Sequence, residues 1–140
     1  MVISWSSKEQ RAVAEFHADL HLPLAEQPTM LAPNRLRFRC SLLEEEVEEL
    51  REAANQENWL AITDALVDIL YFTYGTAVEM GLDLQPFFDE VHRANLAKTP
   101  AQHGEKPAKP AHWSPPDLER VFRQVYGPIP IPTDNSMGMS

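Results

Sequence analysis

Apolar residues recur along the first 97 positions at intervals of three and four, and that period predicts helices. Ser6 followed three residues later by Glu9 is a capping-box pattern. Val13, Phe16 and Leu20 continue it, so a first helix is expected from about Ser7 to His21. Pro23 and Pro28 then interrupt the period. Pro33 suits the first turn of a second helix, whose Leu36, Leu43, Val47, Leu50 and Ala54 fall within about 40° of one direction. A third helix is expected from about Trp59 to Met80, ending where Gly81 can take the left-handed capping conformation. Asp83 is the expected cap of a fourth helix carrying Phe87, Phe88, Val91 and Leu96. Ser114-Pro115-Pro116-Asp117 opens a short fifth, Leu118 to Tyr126. No stretch alternates apolar and polar residues for long, so the fold class is all-α, a bundle of four to five helices.

The third helix changes the picture most. Leu60, Ile62, Leu66, Val67, Ile69, Leu70, Phe72, Tyr74 and Val78 leave it almost no polar face, and a helix apolar all round must be covered on every side. Few helices remain in the chain to cover it, so a homodimer or homotetramer is expected to complete the bundle.

With 140 residues, 44% hydrophobic and 24% charged, the chain has the composition of one globular domain. Twelve basic residues against 21 acidic ones give a net charge of -9, which disfavours binding to long nucleic acid. Residues 1–97 hold 7 basic and 17 acidic side chains, and eight of the 12 prolines follow Lys98. That shift predicts a helical body over 1–126 with a loop-rich C-terminal part and a disordered tail over 127–140. The longest uncharged apolar stretch, Ile69 to Val78, is far short of the ~20 residues of a membrane span. The single Cys40 cannot form an internal disulfide and reads as a core residue. The charged N-terminus lacks a signal-peptide core, so the expected location is cytoplasmic.

Five of the six residues from Glu44 to Glu49 are acidic. Alone, such a run is usually a solvated helix face. On the helical wheel, however, Glu46 and Glu49 share one flank of the apolar stripe and can act as a pair if another helix covers that flank. Asp64 and Asp68, four apart, are set into the otherwise apolar third helix, and Asp is rarely buried unless paired. Arg35, Arg37 and Arg39 could satisfy these two aspartates. Alternatively both helices aim carboxylates at shared divalent cations, for which oxygen-only ligands suit Mg²⁺ or Mn²⁺. His17 and His21 stand four apart, but no neighbouring residue completes a zinc pattern with them. Phe16, Trp59 and Trp113 could stack on a base, although a core role is the plainer expectation for each. No P-loop, dinucleotide fingerprint or nucleophilic-serine motif is present.

Glu45-Glu46-Val47-Glu48-Glu49-Leu50-Arg51-Glu52-Ala53, then Asp64-Ala65-Leu66-Val67-Asp68, then Val91-His92-Arg93-Ala94-Asn95-Leu96-Ala97-Lys98 resemble in order and spacing the all-α nucleoside triphosphate pyrophosphohydrolases, the superfamily of MazG, HisE and the dimeric dUTPases. The resemblance covers roughly residues 10 to 126. It implies that Glu46, Glu49 and Asp68 ligate Mg²⁺ (or Mn²⁺), with Glu45 a further ligand or the base that orients water, and that Asn95 and Lys98 hold sugar or phosphates. The pattern common in the later helix is Glu-x-x-Asp, but Ala65 stands three before Asp68; Asp64 could substitute as a metal ligand. The segment from Lys106 through Lys109 and Trp113 to Leu118 looks like the C-terminal part of a single-domain bacterial branch with dUTP-hydrolysing members.

The reaction so implied is hydrolysis of a (d)NTP to its monophosphate and pyrophosphate, with divalent ions neutralising the triphosphate and activating water. Lys98, Lys106 and Lys109 could close over the phosphates. The leading substrates are dUTP and (d)GTP. The alternative is a nucleotide-sensing or helical interaction module that kept the fold and lost turnover.

Overall fold

The computed structural model describes residues 4–101 and 103–131. These form five helices, α1 (Lys8–Asp19), α2 (Pro33–Asn55), α3 (Trp59–Met80), α4 (Gln85–Leu96) and α5 (Leu118–Tyr126). Among the described residues there is no strand beyond one isolated bridge between Thr99 and Ala108, so the fold is all-α, as the hydrophobic period predicts. Of the tail expected to be disordered, residues 132–140 lie outside the described residues, and 128–131 carry no helix. The chain divides into two compact units, one up to Gln85 and one from Pro86.

In the first unit α3 is central, and both α1 and α2 pack on it. The N-cap of α1 is Ser7, whose hydroxyl accepts from the Gln10 N–H at 3.1 Å, rather than Ser6. Ser6 is engaged elsewhere. Its backbone N–H and hydroxyl both donate to Asp83, whereas the Gln85 N–H reaches Asp83 only at 3.5 Å. Asp83 therefore ties the chain ahead of α1 to the end of α3. Gln10, fully buried, adds to that tie by donating to the Leu82 carbonyl and accepting from the Leu84 N–H. Trp5, Val13, Ala14 and Val78 form the buried core, with Tyr71 and Tyr74 packed against it. Gly81 stops α3 at φ 68, where a Cβ would also strike the Gln27 carbonyl, so the turn needs glycine twice over.

Two features differ from the periodicity reading. Only one edge of the apolar stripe of α2 is covered. Arg39 and Ala53, at that edge, are buried and Leu36, Leu43 and Leu50 half-buried, while Val47 stays 41% exposed. Cys40, next to Arg39 and about 100° around the helix, is exposed rather than in the core. The second difference is in α3. At 12 residues α1 is about 18 Å long against about 33 Å for the 22 residues of α3, so it covers only the C-terminal half. Trp59, Leu60, Leu66, Val67 and Leu70 of the other half are exposed.

The second unit is held by Phe87 of α4 against Phe122 and Tyr126 of α5, and by Glu90. Glu90 is buried and takes Arg93 at 2.8 Å, Arg120 at 3.1 Å and the Asp117 N–H at 2.9 Å. The Arg93 bond holds this carboxyl well below the usual carboxylate range. Among the described residues no helix is long and apolar enough to cross a membrane.

Candidate active site

Facing each other across the α2/α3 contact are Glu46 and Glu49 on one helix and Asp64 and Asp68 on the other. Glu46 is half-buried and its Oε2 is buried without a hydrogen-bond partner. Burial pushes the Glu46 carboxyl up to about 7, helped by a contact with the Glu49 carboxyl and by the charges of Glu49, Asp68 and Asp64. Asp68, also half-buried, is raised by burial first and then by Asp64 and Glu49. Glu49 and Asp64 sit on the exposed rim. The four thus form one electrostatically coupled cluster of like charge. Glu45 is exposed and is not among the charges acting on Glu46 or Asp68. Among the described residues no three acidic, His or Cys side chains form a closed metal cage, so the carboxylates share a face rather than enclose a point.

The arginines that could have neutralised the aspartates go elsewhere. Arg35 Nε lies 2.7 Å and Arg39 Nη1 3.0 Å from Glu79, which is fully buried near the C-terminal end of α3. Arg39 also donates to the Phe72 carbonyl at 2.9 Å and to the Thr76 hydroxyl at 3.0 Å, so its guanidinium is fully occupied. Gly75 makes room for it, since a Cβ there would overlap Arg39 Nη2. His17 packs against the same glycine and its Nδ1 bonds the Pro23 carbonyl at 2.8 Å, while His21 is exposed beyond the end of α1. The two histidines do not converge. Arg37 is exposed, and among the described residues no basic side chain pairs with Glu46, Glu49, Asp64 or Asp68.

In the second unit Asn95 is exposed at the end of α4, Lys98 follows half-buried, and Lys106 and Lys109 are exposed. Lys98 and Lys109 both approach the ring of Trp113, whereas Lys106 makes no such contact.

Comparison with known families decides what this arrangement belongs to. A model of the phosphoribosyl-ATP pyrophosphohydrolases matches residues 13–95, more than half the chain, running from within α1 through both carboxylate helices to Asn95. The chain belongs to that family. It is thereby a member of the MazG-like nucleoside triphosphate pyrophosphohydrolase superfamily. An uncharacterized protein of Acanthamoeba polyphaga mimivirus is 36% identical over 78 residues, which is 56% of this chain. The chain spans 27% of that relative's length.

Within the family pattern the departure at Ala65 has a structural counterpart. Ala65 is 2% exposed, so an acid there would be buried in the helix packing, whereas Asp64 beside it is exposed. Residues that the sequence reading missed are Glu79, whose one signal was a lone acid near the end of an apolar helix, and Trp113 as a partner of two lysines. Trp59, expected in a core role, is 82% exposed.

Proposed function

We propose that the protein is a metal-dependent (d)NTP diphosphatase, cleaving a nucleoside triphosphate with water to the monophosphate and pyrophosphate. The observation that carries this reading is that Glu46, Glu49, Asp64 and Asp68, from two helices, act on one another electrostatically with no cationic side chain paired to any of them among the described residues. Such a cluster is costly unless something positive joins it. Its donors are all carboxylate oxygens and one of them, Glu46 Oε2, is buried and unpartnered, which fits Mg²⁺ or Mn²⁺, hard cations that also take phosphate oxygens. The four carboxylates would hold the ion, which when bound neutralises the triphosphate and stabilises the leaving pyrophosphate. Glu45, exposed on the same helix, is a further ligand or the base that orients the attacking water.

The leading substrates are dUTP and (d)GTP. The test is a panel of (d)NTPs, with phosphoribosyl-ATP included because the family bears its name, assayed for pyrophosphate with Mg²⁺ or Mn²⁺. Metal-dependent release from at least one member supports the reading. Tight binding without release favours the second reading, a nucleotide-sensing module, for which the buried Ala65 is the supporting observation.

A second copy of the chain is the proposed cover for Trp59, Leu60, Leu66, Val67 and Leu70. They form a continuous apolar surface on the half of α3 that α1 does not reach, beside the half-exposed stripe of α2. A homodimer or homotetramer would bury both.

A further inference from the structure

Beyond the residues matched by the family, Lys98, Lys109 and Trp113 come together in an unusual charge arrangement. Thr99 and Ala108 exchange backbone hydrogen bonds of 2.9 and 3.0 Å as an antiparallel bridge. The pairing register then places the next residues outward, Lys98 and Lys109, opposite each other on one face. Like charges in such a pair repel, and a fold that needed only stability would put a carboxylate between them. Both ammoniums instead approach one indole. Lys98 Nζ lies 5.4 Å and Lys109 Nζ 4.9 Å from the centroid of the Trp113 ring. The ring is itself anchored, its Nε1–H donating to the Ala94 carbonyl at 2.7 Å and its backbone N–H to the Pro110 carbonyl at 3.0 Å. Among the described residues neither ammonium has a carboxylate within ion-pair distance.

We propose that Trp113 is a positioning residue that holds Lys98 and Lys109 together as a two-ammonium pincer for a polyphosphate anion, the pyrophosphate part of a nucleotide. An aromatic face attracts a cation without neutralising it, so both charges stay available to a ligand. Two adjacent ammoniums match two adjacent phosphate groups better than one isolated phosphate. Lys106 takes no part. The inference rests on the reading above for the identity of the anion, but binding is measured without turnover, so the two can fail separately.

The test is calorimetric titration of the full chain with sodium pyrophosphate, and in parallel with sulfate and dUMP, for wild type, Trp113→Leu, Lys109→Gln and the double variant. Pyrophosphate is expected to bind wild type at least about tenfold more tightly than sulfate or dUMP, and each single variant to lose about tenfold, the scale of one charge-assisted contact. The double variant should lose less than the product of the two, because Trp113 acts through the lysine; independent structural damage would multiply. Tryptophan emission should change on adding pyrophosphate to wild type and not to Trp113→Phe. Should Trp113→Leu fail to fold, Lys109→Gln and the emission change still decide. Single variants within about twofold of wild type, equal affinity for sulfate, or unchanged emission would overturn the pincer. Intact pyrophosphate binding without hydrolysis of any triphosphate would leave it standing and remove the diphosphatase reading.

Discussion

Arg39, near the start of α2, reaches Glu79, near the end of α3, with Nη1 3.0 Å from Oε2. This pair, with Arg35 added, commits two arginines of α2 to one end of the helix contact, while Arg51 at the other end turns to the exposed Glu48 and the carboxylates of Glu46, Glu49, Asp64 and Asp68 are left without an ion-pair partner among the described residues. The same two helices thus carry an ionic lock at one end and a cluster of like charge at the other.

Breaking the lock should be costly and specific. Glu79→Gln leaves two guanidiniums facing each other with one deeply buried, and loss of one partner of a buried pair costs about 3–5 kcal/mol. Denaturant titration should show a loss on that scale, and Gly75→Ala should destabilise in the same direction by displacing Arg39. A variant of unchanged midpoint would show that the lock is dispensable.

Charge removal in the cluster should separate activity from stability. Glu49→Gln and Asp68→Asn are each expected to cut turnover by at least roughly 10²-fold while the fold survives, since each removes a ligand charge and relieves repulsion. Pyrophosphate release and thermal melting measured on the same samples check this; near-wild-type activity would take that residue out of the site.

The raised Glu46 carboxyl makes the metal-free protein pH-sensitive. Unfolded, this group titrates near 4.5; folded, at about 7, so between these values the folded state keeps a proton that the unfolded chain has released. Stability in EDTA is therefore expected to fall as pH rises from about 4.5 to about 7 and to level off above. Glu46→Gln should flatten the profile. A metal-free melting temperature that climbs over that window in wild type would contradict the assigned environment.

Metal should reverse the penalty. A cation that binds only the native state stabilises it by about 2.7 kcal/mol at 100 times its dissociation constant. Mg²⁺ or Mn²⁺ should raise the melting temperature at pH 8, a non-hydrolysable nucleotide should raise it further, and Asp68→Asn should respond less. Identical melts with EDTA, metal, and metal plus nucleotide would leave a purely structural bundle.

Self-association can be tested on α3. Leu66→Glu with Leu70→Lys places charge on the exposed apolar surface of the helix, on the opposite side from Asp68. Light scattering after size-exclusion chromatography should show wild type as a dimer or tetramer and this variant as a monomer. A monomeric wild type would refute the proposed cover.

Helix identity and ends were readable from the chain because they depend on local chemistry. Pro33 at the first turn of α2, Gly81 after α3 and Asp117 ahead of α5 all act within a few residues of where they stand. The period of apolar residues likewise determined the all-α class. The carboxylate pairs were readable too, because helical spacing alone puts Glu46 with Glu49 and Asp64 with Asp68. What only the tertiary structure decided is which flank of each helix meets the other. Only one edge of the apolar stripe of α2 is covered, together with the flank that carries Arg39 and Glu46, and Arg39 goes to Glu79 rather than to the aspartates. Ser7 rather than Ser6 caps α1 because Asp83, far along the chain, claims Ser6. Lys109 meets Lys98 only through the pairing of Thr99 with Ala108. Each of these is a choice among partners distant in sequence, and spacing along one helix carries no information about where another helix will lie.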